Sequence, residues 1–248
     1  MEAENIVKSV KSMLEPIGFE CHPFKIDWYN KYVKPGFCLN YDPDTLAVII
    51  ISTPCMFEKT LKPFILRKAC TGVKDPIDEC MAETVNTVKQ SLPDVEMDIL
   101  LDYELDHSRR PRVLVQTAGH VAGAVRYYQR SDIVKDPWPS KKRVFGVCIH
   151  PRYGGWFAFR GVLVFTNVRA PELPRPPMPD PLPDDEQRIE LLKRFNGCWQ
   201  DWKYRDLIPV SDKYSEEQKL YFATLPRDRK DLVAKMINNS SNSASVGE

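Results

Sequence analysis

The sequence predicts an α+β fold, with a mixed, largely antiparallel sheet flanked by helices. Three observations carry that expectation. Runs of strand length and runs with helical spacing follow one another without a regular strand–helix alternation. Neither a Gly-x-Gly-x-x-Gly turn nor a Walker loop occurs, so nothing supports a doubly wound nucleotide-binding sheet. The turn Pro151–Arg152–Tyr153–Gly154–Gly155 separates two apolar runs and reads as a hairpin, which implies antiparallel neighbours.

Taken in order, Asn5 to Pro16 places Ile6, Val10, Met13 and Leu14 at helical spacing, and Gly18 ends that helix. Leu46 to Ile51 is a β-branched run that fits a strand buried on both faces. Asp75–Pro76 opens a helix through about Leu92. Met97 to Leu105 and Arg112 to Val115 read as two strands around a polar turn, and the small residues of 116–123 read as the start of a helix packed close to another backbone. Val144 to His150 and Trp156 to Thr166 are the hairpin strands. From Pro171 to Pro183, seven of thirteen residues are proline, which forbids helix and central strand and makes a stiff extended strap. A helix follows from Asp184–Asp185 through Phe195, Ser215–Glu216–Glu217–Gln218 is a capping box, and a last helix starts at Pro226. These helices are too few for a core of their own and should fold back onto the sheet. Residues 238–248 have almost no apolar content and read as a disordered tail, leaving 1–237 as a single domain.

The chain has 248 residues, 43% apolar and 28% charged, with a formal charge of +1. A chain of that length buries roughly 70–75% of its unfolded surface and needs no disulfide framework. The near-zero charge supplies no polybasic footprint for nucleic acid. The longest aliphatic run falls well short of the roughly 18 apolar residues of a membrane span, and no signal-peptide pattern opens the sequence, so the chain reads as cytosolic. Seven scattered cysteines, never spaced C-x-x-C, argue against a secreted scaffold and a zinc ribbon. The four histidines include no i, i+4 pair, so a metal held by protein side chains is not expected.

Several residues attract a chemical reading beside a structural one. His120-x-x-Gly123 has the form of a cobalt-ligating loop, but Ala118 stands where an orienting Asp is needed, so a backbone-satisfied histidine is preferred. Tyr127–Tyr128–Gln129 and 153–159 are aromatic segments that fit either core or the wall of a planar-ligand pocket. Cys148, between Val147 and Ile149, reads as a small buried hydrophobe. Arg160 ends the apolar run 156–159 and needs an anionic partner: an internal salt bridge is the default, a bound carboxylate the competitor.

Taken together, Asp27–Trp28–Tyr29–Asn30, Ser52–Thr53–Pro54, Arg109–Arg110–Pro111, Gln116–Thr117–Ala118 with His120 to Ala124, Tyr127 to Arg130, 146–152, 154–158, Tyr204–Arg205–Asp206 and Tyr214 to Lys219 resemble the cobalamin-processing family of the cblC type of methylmalonic aciduria and homocystinuria. The resemblance runs from about residue 5 to 235. It implies a flavin-nitroreductase-like version of the α+β fold and a cytosolic enzyme and chaperone that binds cobalamin base-off. Two activities are implied: glutathione-dependent dealkylation of alkylcobalamins, and reductive decyanation of cyanocobalamin with FAD or FMN as electron carrier.

On this resemblance, Asp102, Val113, Leu114, Val115, Gln116, Tyr127, Tyr128, Gln129, Cys148 and Phe159 contact cobalamin; Arg160, Arg205 and Arg229 bind glutathione, with Arg160 and Arg205 serving catalysis. Cobalt comes with cobalamin and needs no protein ligand. The implied partners are a cblD-type trafficking protein and a flavin-dependent reductase. Arg126 and Gly119 depart from the family pattern, where an aromatic and an Ala are expected, implying a more polar and looser pocket edge. The competing readings are a binding-only carrier, which would retain alkylcobalamin unchanged with glutathione present, and a nitroreductase-type flavin oxidoreductase, which would ignore cobalamin.

Overall fold

The computed structural model describes residues 2–68 and 75–244; Cys70 lies outside them. Helix α1 (Ala3–Leu14) buries Ile6, Val10 and Leu14 on one face. Gly18, at φ +98°, then turns the chain, and a Cβ there would come 2.5 Å from the Met56 Cα. Strand β1 (Phe19–Lys25) follows, unforeseen because Pro23 lies inside it. It is tolerated because β1 is an edge strand. Next come α2 (Ile26–Asn30), β2 (Thr45–Ser52), α3 (Lys62–Lys68), α4 (Pro76–Ser91), which Asp75 caps by accepting from Ile77 N, and β3 (Met97–Leu101). The second half holds α5 (Val115–Val121), β4 (Arg126–Tyr128), β5 (Val147–Ile149), β6 (Ala158–Arg169), α6 (Asp185–Cys198), α7 (Glu216–Ala223) and α8 (Arg229–Ala244).

The main sheet has the order β1-β2-β6-β3 with antiparallel neighbours throughout. As the sequence predicts, β2 is buried along its whole length, and its period of two divides it cleanly. Leu46, Val48 and Ile50 join Leu163 and Phe165 of β6 against α1, α3 and α4. Ala47, Ile49 and Ile51 join Val162 and Val164 against α2 and α5. A third cluster, with Tyr128, Val147, Ile149, Leu191 and Leu192, packs α6 on the separate β4–β5 pair. Tyr221 of α7 and Met236 of α8 enter the first cluster, so the C-terminal helices fold back as expected. Residues 174–183 carry neither helix nor strand, and Pro176 lies over Gly123, where a Cβ would come 2.6 Å from its Cγ.

Several local expectations are corrected. The two runs flanking Pro151–Gly155 do not pair as a hairpin: β5 pairs with β4, because both edges of β6 are occupied by β2 and β3. An isolated His150–Gly154 bridge closes the turn. The glycine pair instead admits another backbone, Gly155 N donating to Arg205 O at 3.0 Å. Arg112–Val115 is not a strand, since Leu114 N donates to the Tyr29 hydroxyl at 2.9 Å and α5 starts at Val115. The strand expected to reach Leu105 stops at Leu101, where its partner strand is bulged. Ser215 accepts from Gln218 N at 3.2 Å, but Gln218 Oε1 is buried without a partner among the described residues, so only half of the capping box forms. Helical backbone continues through Ala244, so 238–244 is helix rather than a disordered tail; Gly247, the first strong breaker after α8 begins, comes later, outside the described residues.

Candidate functional site

The site is organised by a β-bulge. In the β2–β6 ladder Ile50 faces Gly161 and Ile51 faces Phe159, leaving Arg160 as the extra residue. A one-residue shift inverts the faces of a strand. Phe159 therefore packs with the α5-side cluster, whereas Arg160 turns to the α4 side. Gly161, at φ +149°, completes the bulge and lets β3 approach, a Cβ there lying 2.6 Å from Leu100 O. Asp102 N donates to Arg160 O at 3.3 Å.

Arg160 is 8% exposed, and its Nε donates to Ser52 Oγ at 2.9 Å. The ring of Phe222 lies 5.9 Å from its Cζ. Among the described residues no carboxylate comes within salt-bridge distance, so the default internal ion pair is not formed. Burial and the neighbouring carboxylates of Asp75 and Asp102 raise the Asp78 carboxyl to about 6, against the pull of Arg160 and Arg229. Asp102 keeps an open edge to solvent, yet the protein around its carboxyl raises it too, with Arg160 opposing.

Among the described residues, Arg229 and Arg205 likewise have no carboxylate partner. Arg229 donates from Nε to Tyr221 O and Thr224 O, its Cζ 4.6 Å from the Tyr221 ring. Arg205 follows Trp202, which sits at φ +63°, and its guanidinium is caged by Trp156, Trp202, Tyr204 and Tyr214 at 5.0–5.6 Å. Its Nη1 donates to Gly155 O, and its buried Nε has no partner among the described residues. Tyr214 in turn contacts Phe222 at 5.7 Å, so two rings connect Arg205 with Arg160. By contrast, Arg67, Arg110, Arg112, Arg126, Arg130 and Arg188 are all paired with carboxylates.

On the opposite face, Val113, Leu114, Val115, Tyr127, Cys148 and Phe159 belong to one apolar cluster. Tyr127 faces Cys148 across the β4–β5 pair, and Cys148 Sγ lies 3.9 Å from Gln116 O. Burial alone drives the Cys148 thiol well above its ordinary value, so it stays protonated. Burial, then Arg126, keeps His120 neutral; its Nδ1 accepts from Tyr127 N at 3.3 Å, the backbone-satisfied arrangement. The space at Gly119 is taken by the Phe159 ring rather than left loose. Arg126 itself pairs with Asp132.

Other expected residues stand apart. Tyr128 points away from Tyr127, fully buried in the third cluster, where its hydroxyl donates to Asp180 and accepts from Leu182 N. Gln129 is exposed and caps the turn 130–132. A cavity of about 530 Å³ beside the Arg205 cage is bounded by Trp156, Trp202, Lys213 and Lys219, but these lysines are already paired with Asp206 and Glu216. Glu20, His22 and His150 converge within 4.8 Å. His150 Nδ1 accepts from the backbone N–H groups of Arg152 and Tyr153, which puts its proton on Nε2, aimed at Glu20. That trio is a hydrogen-bonded brace. Sequence reasoning assigned no role to Ser52 or Phe222; a lone hydroxyl ending an aliphatic strand was the available signal for Ser52.

Known proteins resemble this chain in sequence and in fold. The model of the methylmalonic aciduria and homocystinuria type C family matches residues 18–233. A chicken (Gallus gallus) protein named cyanocobalamin reductase / alkylcobalamin dealkylase is 50% identical over 226 residues, 91% of this chain and 94% of its own. The Homo sapiens protein of that name is 46% identical, covering 91% of this chain and 80% of its own. The crystal structure of the C. elegans B12-trafficking protein CblC superimposes with a TM-score of 0.87 at 34% identity, over 96% of this chain and 97% of that one. The chain belongs to the methylmalonic aciduria and homocystinuria type C family.

Proposed function

We propose that this protein is a cobalamin-processing enzyme and chaperone, removing the upper axial ligand by glutathione-dependent dealkylation of alkylcobalamins and by reductive decyanation of cyanocobalamin. The names of the relatives support cobalamin as substrate. The observation that carries the thiol chemistry is Arg160, a buried guanidinium with no carboxylate within salt-bridge distance among the described residues. Glutathione brings two carboxylates, and Arg160, Arg229 and Arg205 offer them charge-assisted donors.

In this reading the apolar cluster around Val113, Tyr127, Cys148 and Phe159 takes the corrin, and Asp102 and Gln116 contribute polar contacts at its rim. Tyr128 and Gln129 contribute through backbone or by holding the β4 end. Neither His120 nor Cys148 competes for cobalt: Nδ1 of the first is occupied, and the second remains a thiol. Phe159 and Arg160 are neighbours near the first residue of the β6 strand, so in this reading the corrin on one face and the thiol on the other approach each other around the start of β6. The glutathione sulfur, as thiolate after its proton passes to solvent, attacks the cobalt-bound carbon. The S–C bond forms, and the Co–C bond breaks with its electron pair left on cobalt, giving cob(I)alamin and a thioether. Orientation of the thiolate supplies much of the acceleration.

For decyanation the electrons come from reduced FAD or FMN delivered by a partner reductase, and a cblD-type protein receives the product. A flavin-nitroreductase-like ancestry, a cytoplasmic location and the action of 1–237 as one processing unit complete the proposal; among the described residues no helix is long and apolar enough to cross a membrane.

The test is anaerobic. Methylcobalamin mixed with the protein should shift its visible spectrum as the lower base leaves cobalt, and added glutathione should then produce cob(I)alamin. A shift without reaction would leave a carrier, and no shift at saturating protein would sink the cobalamin reading.

A further inference from the structure

Ser52 is a hydroxyl closing an otherwise aliphatic strand, 1% exposed and opposite Ala158 in the β2–β6 ladder. Its Oγ donates to Ala158 O at 3.2 Å, which uses its one hydrogen. A hydroxyl has one donor and two acceptor sites. The lone pairs that remain accept the Nε–H of Arg160 at 2.9 Å. The polarity of this pair of bonds is therefore set by Ala158.

We infer that Ser52 is the positioning residue for Arg160: it holds the guanidinium by its Nε corner, so that the two Nη groups, which bond to no protein atom among the described residues, present a fork to a carboxylate. The bulge decides which face of the sheet the side chain takes, and Ser52 decides how the planar head is turned once there. Phe222, 5.9 Å from Cζ, limits the remaining freedom. A bidentate arginine–carboxylate contact depends on such in-plane alignment. Without the hydroxyl, Nε would be buried and unpaired and the head would rotate to find another acceptor.

The inference rests on the glutathione reading above, and the experiment separates the two. Dealkylation of methylcobalamin is measured with wild type, Ser52→Ala and Ser52→Thr, using either glutathione or glutathione diethyl ester, which keeps the thiol but has no free carboxylate. For Ser52→Ala, KM for glutathione should rise about tenfold with kcat nearly unchanged and the ester unaffected; Ser52→Thr, which keeps a hydroxyl, should restore KM to within about twofold. The cobalamin spectral shift reports folding in every variant, and Ser52→Cys, similar in size with a weak acceptor, replaces the alanine variant if that one fails to shift. An equal KM rise for both thiols, or no rise for glutathione, overturns the role of Ser52. A wild type that does not distinguish the two thiols overturns the glutathione reading itself, and Ser52's role with it.

Discussion

Gly119 lies against the ring of Phe159: a Cβ at position 119 would come within 2.5 Å of Phe159 Cε1 and 3.1 Å of its Cζ. The missing side chain at 119 is thus matched by an aromatic ring at 159, which also meets Phe157 edge-on at 5.3 Å. Gly119→Ala should gain up to about 1 kcal/mol of helix propensity but lose about 1–3 kcal/mol by overpacking, a net destabilisation. Phe159→Leu in the same chain should recover the propensity gain. Urea unfolding of the two single variants and the double variant gives the coupling, and strict additivity would mean the contact is not felt.

Arg160→Lys keeps the charge but loses the planar fork and the Nε bond to Ser52. Glutathione-dependent dealkylation should fall about 100-fold, the equivalent of roughly 2–3 kcal/mol for a charge-assisted contact. The cobalamin spectral shift should persist. Loss of that shift with normal turnover of whatever binds would reverse the assignment.

Gly155 stands where a Cβ would meet Arg205 Cα at 2.7 Å and Cγ at 2.8 Å. Gly155→Ala should therefore displace the 203–206 turn and open the ring cage around Arg205. A destabilisation of about 1–3 kcal/mol and a raised KM for glutathione are expected, read by thermal unfolding and steady-state kinetics; unchanged KM would separate the cage from thiol binding.

Asp78, raised to about 6, titrates with a definite sign. Its folded value lies above the unfolded one, so the native state binds more protons and stability falls as pH rises from about 4 to 6. Relative to Asp78→Asn, wild type should lose stability across that window and show no further change above it. Midpoints of urea unfolding at pH 4.5 and 7 decide this, and a gap independent of pH would refute it.

Glu20 behaves oppositely. Burial pushes its carboxyl up, but hydrogen bonds from His150 and His22 outweigh that and hold it well below the ordinary carboxylate range. Glu20→Ala leaves the buried Nε2–H of His150 without its acceptor, costing about 2 kcal/mol at neutral pH. The stabilisation belongs to pH values above the unfolded carboxyl and is lost as pH falls, so the gap between variant and wild type should narrow below about pH 4.5.

Much of this was legible in one dimension. The aliphatic run of β2, the capped α4, the proline strap, the helix after it and the segments shared with the cobalamin-processing family all rest on patterns within a few residues of one another. Arg160 was legible as a problem, a charge inside an apolar run. Its solution was not, because the candidate carboxylates are spread over the whole chain and only distances in space show that none among the described residues is used.

The sequence by itself determined the kinds of element, the α+β class and the family, since propensity, period and motif are local properties. The tertiary structure alone decided which strands pair, which face of the sheet Phe159 and Arg160 each take through the bulge, and which cluster Tyr127 and Tyr128 each join. These depend on competition between distant segments for the same strand edge and the same buried space. A register shift of one residue, invisible in composition, turns a guanidinium from one core to the other.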